Sequence, residues 1–133
     1  MRDAERLITS LDIDEAAGGE FNDDRRTSIS ALHELELADG RRLTLLDDRG
    51  WSSSGPGSIW AYQSMESLAE TARTVVGPDE PPEGRTHEEE TALHWAHLAD
   101  IVQEQGVYIE AGELAALPHD VDVSSAIRAR LPR

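Results

Sequence analysis

SISALHELELADGRRLTLLDD, residues 28–48, alternates apolar and polar side chains on both sides of an Ala38-Asp39-Gly40 turn. Ile29, Ala31, His33, Leu35 and Leu37 fall on one face of a strand at a period of two. A three-residue loop with Gly40 in the left-handed position makes Leu37 face Arg41, Glu36 face Arg42, Leu35 meet Leu43 and His33 meet Leu45. A two-residue Asp-Gly turn would instead set Glu36 against Leu43 and mix the two faces, so the longer loop is preferred.

Working outward, DDRGWSSSGPG (residues 47–57) reads as a polar loop. SIWAYQS (58–64) reads as a third strand, with Ile59, Ala61 and Gln63 alternating against Trp60 and Tyr62. Residues 28–64 are therefore expected to form a small antiparallel meander of about three strands, whose open face needs a cover. The cover comes from residues 65–133. Met65, Leu68, Ala72, Val75 and Val76 recur at helical spacing, with Ser67 and Glu70 as a capping box and Gly77-Pro78 as the stop. Thr86 and Glu89 form a second capping box, opening a helix that Gly106 closes. Residues 107–121 read as a short extended piece followed by a one- or two-turn helix ended by Pro118, and residues 122–131 as a last helix capped by Asp122. The acidic N-terminal segment, 1–27, is expected to carry a short helix within residues 3–17 and then a loop. The expected fold is α+β, a three-stranded meander packed by two to four helices, and 133 residues are sized for a single domain, 1–133.

Composition removes several chemistries. Without cysteine there are no disulfides, thiolate metal sites or thiol nucleophiles. Lysine is also absent, all 12 basic residues being arginine, so neither a Schiff base nor a phosphate-loop lysine is available. Abundant Ala, Gly, Arg and Asp without Lys is what a GC-rich bacterial genome tends to write. No stretch approaches the roughly 20 apolar residues of a membrane helix, and MRDAERLITSLDIDE is charged where a signal peptide needs an apolar run. A cytoplasmic location is expected.

The net charge of -15 is the largest global signal. Residues 1–24 hold eight acids against Arg2 and Arg6, and residues 100–122 hold six acids and no base. Such a field repels nucleic acid and anionic lipid and attracts basic partners.

Motifs for catalysis are weak. GWSSSGPGS lacks the GxSxG of a nucleophile elbow, and Gly55-Pro56-Gly57 lacks the third glycine of a dinucleotide loop. In THEEETALHWAHLAD (86–100), Glu90, His94 and His97 share one arc of a helix and form an alternative metal site, with His33 and His119 as further candidate ligands. The zinc-protease pattern fails there, because Thr91 stands where the second histidine is required. The first-turn acids Glu88, Glu89 and Glu90 also suit a helix N-terminus.

Trp51 stands out as a large ring in a polar loop beside Asp47 and Asp48, the composition of a protein-binding anchor with acidic steering residues. The expected site is therefore Trp51, Asp47, Asp48, Glu88 and Glu89, directed at a basic protein partner, with no cofactor, nucleic acid or membrane. Small acidic cysteine-free chains without a catalytic motif are typical of immunity proteins and antitoxins that neutralise a basic toxin or enzyme. This likeness is one of composition and size. The alternatives are the metal-dependent domain on Glu90, His94 and His97, and a DNA mimic whose carboxylates stand in for phosphates.

Overall fold

The computed structural model describes residues 4–13, 26–54, 60 and 63–131. Its elements are β1 (Ala4–Ile13), β2 (Arg26–Leu37), β3 (Arg42–Ser54), α1 (Met65–Val75), α2 (His87–Glu104), α3 (Ala111–Ala115), β4 (His119–Val123) and α4 (Ser125–Arg128). The strands form one sheet in the order β3-β2-β1-β4. β1 runs antiparallel to β2, β2 antiparallel to β3, and β4 parallel to β1. The architecture is α+β, an antiparallel three-stranded unit extended by one parallel strand and packed by helices.

The hairpin between β2 and β3 follows from its turn. Gly40 has φ 92°, and the Leu37 amide donates to the Arg41 carbonyl at 2.8 Å. Glu36 faces Arg42 and Leu35 faces Leu43. The register then slips, so that His33 faces Leu46 and not Leu45. A bulge lets Leu45 and Leu46 both turn toward the core, and a second one, between Leu46 and Arg49, leaves Asp47 and Asp48 exposed.

Residues 47–54, expected in a loop, continue β3, and Trp51 pairs with Ile29 across the sheet. Gly50 explains how a polar stretch holds this pairing: a Cβ there would lie 2.4 Å from the Ile29 carbonyl oxygen. The close approach of the two backbones requires glycine.

The third antiparallel strand is β1, in place of the helix expected within residues 3–17. Leu7, Thr9 and Leu11 alternate inward in RLITSLDI, and β-branched Ile8, Thr9 and Ile13 suit a strand paired on both sides. Of the expected strand 58–64, Ser58, Ile59, Ala61 and Tyr62 lie outside the described residues. Trp60 is buried and not in a strand, its carbonyl accepts from the Gln63 amide at 3.3 Å, and Gln63 leads into α1. Residues 119–123, read as the stretch after a helix ended by Pro118 and the start of a last helix capped by Asp122, form β4 instead, and the helix boundaries moved by a turn or less. α1 is capped by Ser64 with Ser67, and α4 by Ser124. The Thr86–Glu89 capping box opens α2 as expected, and Gly106 follows it at φ 93°. Met65 remains 42% exposed, while Leu68, Ala72 and Val76 are buried.

Two apolar clusters lie on the helix-covered face. Leu7, Leu35, Leu37, Leu43 and Leu45 of the sheet pack with Leu98 and Val102 of α2 and Leu114 of α3. Leu11, Ile29 and Ala31 pack with Leu68 and Ala72 of α1, Val123 of β4 and Ile127 of α4. Leu46 touches both clusters. Replacing Gly50 with Ala should force β2 and β3 apart at Ile29 and lower unfolding stability by about 2 kcal/mol or more. Urea denaturation reads this, and a loss under half that size would show that the strands can shift at little cost.

Candidate functional site

A polar row separates the two clusters. On β1, Thr9 lies between Leu7 and Leu11, and on β2, His33 lies between Leu35 and Ala31, the two residues being direct cross-strand partners. Both are sealed from solvent, at 0% and 1% exposure. The Thr9 hydroxyl lies 2.9 Å from His33 Nδ1 and 2.7 Å from His119 Nε2, and the two rings are 5.1 Å apart. A hydroxyl carries one proton, so with both rings neutral and each hydrogen-bonded to it, it accepts an N–H from one ring and donates to the other. Neutral rings satisfy that pattern without a buried charge.

Charged and titratable groups close around the row from every side. Arg73 of α1 donates to the His119 carbonyl at 3.1 Å. Arg49 of β3 donates to the Val75 carbonyl at 3.3 Å and pairs with Asp79 at 3.0 Å. His94 of α2 has a buried Nε2 without a hydrogen-bond partner. Burial, reinforced by His119, His94 and Arg49, pushes His33 down to about 3. Burial also lowers His94, with Arg49 adding to it, and lowers His119, with Arg73 adding to it. Since Thr9 and His33 cannot reach an external substrate, the row offers a proton-sensitive join between two halves of the core and no nucleophile.

The expected binding residues are only partly gathered. Trp51 is half-buried against the cluster formed around Leu11 and Ile29, so it is anchored in a strand and does not project from a loop. It lines a hollow of about 260 Å³ together with Asp48, Ser28, Ser30 and Ser52. Asp47, Glu88 and Glu89 do not line it. Glu89 accepts from the Thr86 amide as half of the capping box, and Glu88 is exposed on the first turn of α2.

Of the alternative metal set, Glu90 pairs with Arg85 at 2.6 Å. His97 is exposed while the free nitrogen of His94 is buried. Among the described residues, no group of three or more His, Asp or Glu side chains is placed to hold a metal ion. Sequence reasoning did not single out Thr9. Its signal was the lone polar residue inside the Leu7-Thr9-Leu11 alternation, in register with the equally misplaced His33.

Comparison of the chain with protein-family models, with curated proteins and with solved structures finds no match. Among the described residues, no helix is long and apolar enough to cross a membrane.

The histidine row predicts a pH dependence of defined sign. The folded-state value of His33 lies below its ordinary 6.5, so its contribution to stability is complete above pH 6.5 and is lost as pH falls toward about 3. From pH 6.5 to 5 the loss attributable to His33 should be about 2 kcal/mol. Urea unfolding of the protein and of His33→Gln at both pH values measures the difference. Equal losses in the two proteins would mean that His33 is not the responsible group.

Proposed function

We propose that the chain is an acidic protein-binding module that holds a basic protein partner, in its sharpest form an immunity or inhibitor protein neutralising a basic toxin or enzyme. One observation carries this reading: among the described side chains, the arginines are spent on the chain itself. Arg6, Arg41, Arg42, Arg49 and Arg85 pair with its own carboxylates. Arg73 and Arg128 donate to backbone carbonyls, and Arg130 lies 5.9 Å over the Trp60 ring. The surplus behind the net charge of -15 is left to carboxylates that face solvent, including Asp47, Asp48, Glu66, Glu88, Asp100 and Asp122.

In this reading Asp47, Asp48 and Glu88 steer the partner, Glu89 adds its charge from within the cap, and the open part of Trp51 beside Asp48 supplies apolar contact. The DNA-mimic alternative is less favoured by the described acids, because Asp120, Arg6, Glu36 and Arg42 alternate in sign across the sheet.

Affinity capture at low salt, followed by reconstitution from the two purified proteins, tests the proposal. A single basic partner should bind at fixed stoichiometry, with an association rate that falls steeply as salt rises. Changing Asp47, Asp48 and Glu88 to their amides should slow association and leave dissociation nearly unchanged. Absence of any stoichiometric partner, or an association rate indifferent to salt, would overturn the reading.

A further inference from the structure

The sheet face opposite the helices is built in two unlike halves. In one half, a ladder of long charged side chains crosses all four strands. Asp120 of β4 pairs with Arg6 of β1 at 2.6 Å, Arg6 with Glu36 of β2 at 2.9 Å, and Glu36 with Arg42 of β3 at 3.2 Å. Arg42 also reaches Glu34 of β2 at 3.8 Å, so this half is covered by its own side chains with its carboxylates paired to arginines.

The other half is hollow. Ser10 is flanked in register by Asp122 on β4 and Leu32 on β2, while Asp12 faces Ser30, which in turn faces Gly50 on β3. Small side chains at Ser10, Ser30 and Gly50 leave a trough between larger neighbours. A hollow of about 370 Å³ at the β4 end meets the one of about 260 Å³ beside Asp48 at Ser30, a residue common to both. No arginine among the described residues reaches Asp12 or Asp122. The Asp12 carboxylate accepts from the adjacent Ile13 amide at 2.8 Å, and the Ser30 hydroxyl donates to the Asp12 backbone carbonyl at 3.4 Å. At the opposite rim Asp48 is 80% exposed and only 3.8 Å from Arg49.

We infer that this half of the sheet, which no described residue covers, docks the basic partner, whose arginine or lysine side chains lie in the trough between Asp12 and Asp122 at one end and Asp48 at the other. The inference rests on reading the chain as a binder of a basic protein, and it names the surface used. Charge complementarity selects the occupant. Carboxylates at both ends accept charge-assisted hydrogen bonds, serine hydroxyls between them accept further N–H donors, and Leu32 offers an apolar wall for an aliphatic stem. A second copy of this chain would bring the same negative surplus and be repelled.

The test is titration of the isotopically labelled full chain with an octa-arginine peptide, followed by amide NMR shifts. Shifts should concentrate at Ser10, Asp12, Ser30, Asp122 and Ser124. The double change Asp12→Asn with Asp122→Asn should weaken binding about tenfold or more, whereas Glu66→Gln with Asp100→Asn, exposed acids on the helices, should change it less than about twofold. Ser10→Lys, which places a cation inside the trough, should block the peptide while thermal melting is retained, so the idea does not depend on one variant folding. Shifts centred on the start of α2 or spread evenly over the acids would overturn the proposal. So would a concentration-dependent dimer protecting the same amides without peptide. If a basic protein is captured yet the trough variants bind it normally, the surface is wrong and the binding function stands. If neither peptide nor basic protein binds, both fall.

Discussion

Everything in this fold depends on β1 being paired along both edges. Its Leu7 belongs to one apolar cluster and its Leu11 to the other, as Leu35 and Ile29 of β2 do, and among the described strands β1 alone also carries β4 on its other edge. Antiparallel pairing with β2 needs only a return of the chain. Parallel pairing with β4 needs a crossover, and α1, α2 and α3 supply it. The helices therefore cover one face of the sheet because the topology obliges them to travel back across it.

The same geometry explains the histidines. Where two clusters meet on one sheet face, a polar pair in register is tolerated only if its hydrogen bonds are complete, since an unsatisfied buried group costs about 1–3 kcal/mol. Thr9 supplies the missing partner for His33 and, across to β4, for His119. This ties the last strand to the first by side chains as well as by backbone. The arginines act elsewhere, on the outer face of the sheet, at the β2–β3 turn and at the ends of α1 and α2. By pairing with Asp120, Glu36, Asp39, Asp79 and Glu90 they hold strands and loops in place, and the chain presents its unpaired acids outward.

Much of this was legible in residues 28–48. The turn at Gly40, the pairing of Glu36 with Arg42 and of Leu35 with Leu43, and the helix that begins at Thr86 follow from local pattern and local chemistry. What was not legible depends on partners far away in the chain. Residues 4–13 are short and flanked by charge, and only pairing with β2 and β4 makes them a strand. His119–Val123 is too short to announce itself, and its Asp120 and Asp122 look like loop residues until the parallel register places them on the outer face. The bulges around Leu46 could not be read either, because period-two patterning has no symbol for an extra residue. Among the site residues, Asp48 and Trp51 do share a hollow, whereas Glu90 pairs with Arg85, a residue five positions earlier whose reach the helical wheel does not show.

The central claim, that β1 is the strand on which both halves of the core close, is tested most directly by native-state hydrogen exchange at the Leu7, Thr9 and Leu11 amides. The account predicts that these amides, although close to the N-terminus, exchange only through global unfolding, with the full unfolding free energy and the same denaturant dependence as amides in β2. Exchange of β1 by local fraying, well below the global free energy while β2 and β3 stay protected, would contradict it.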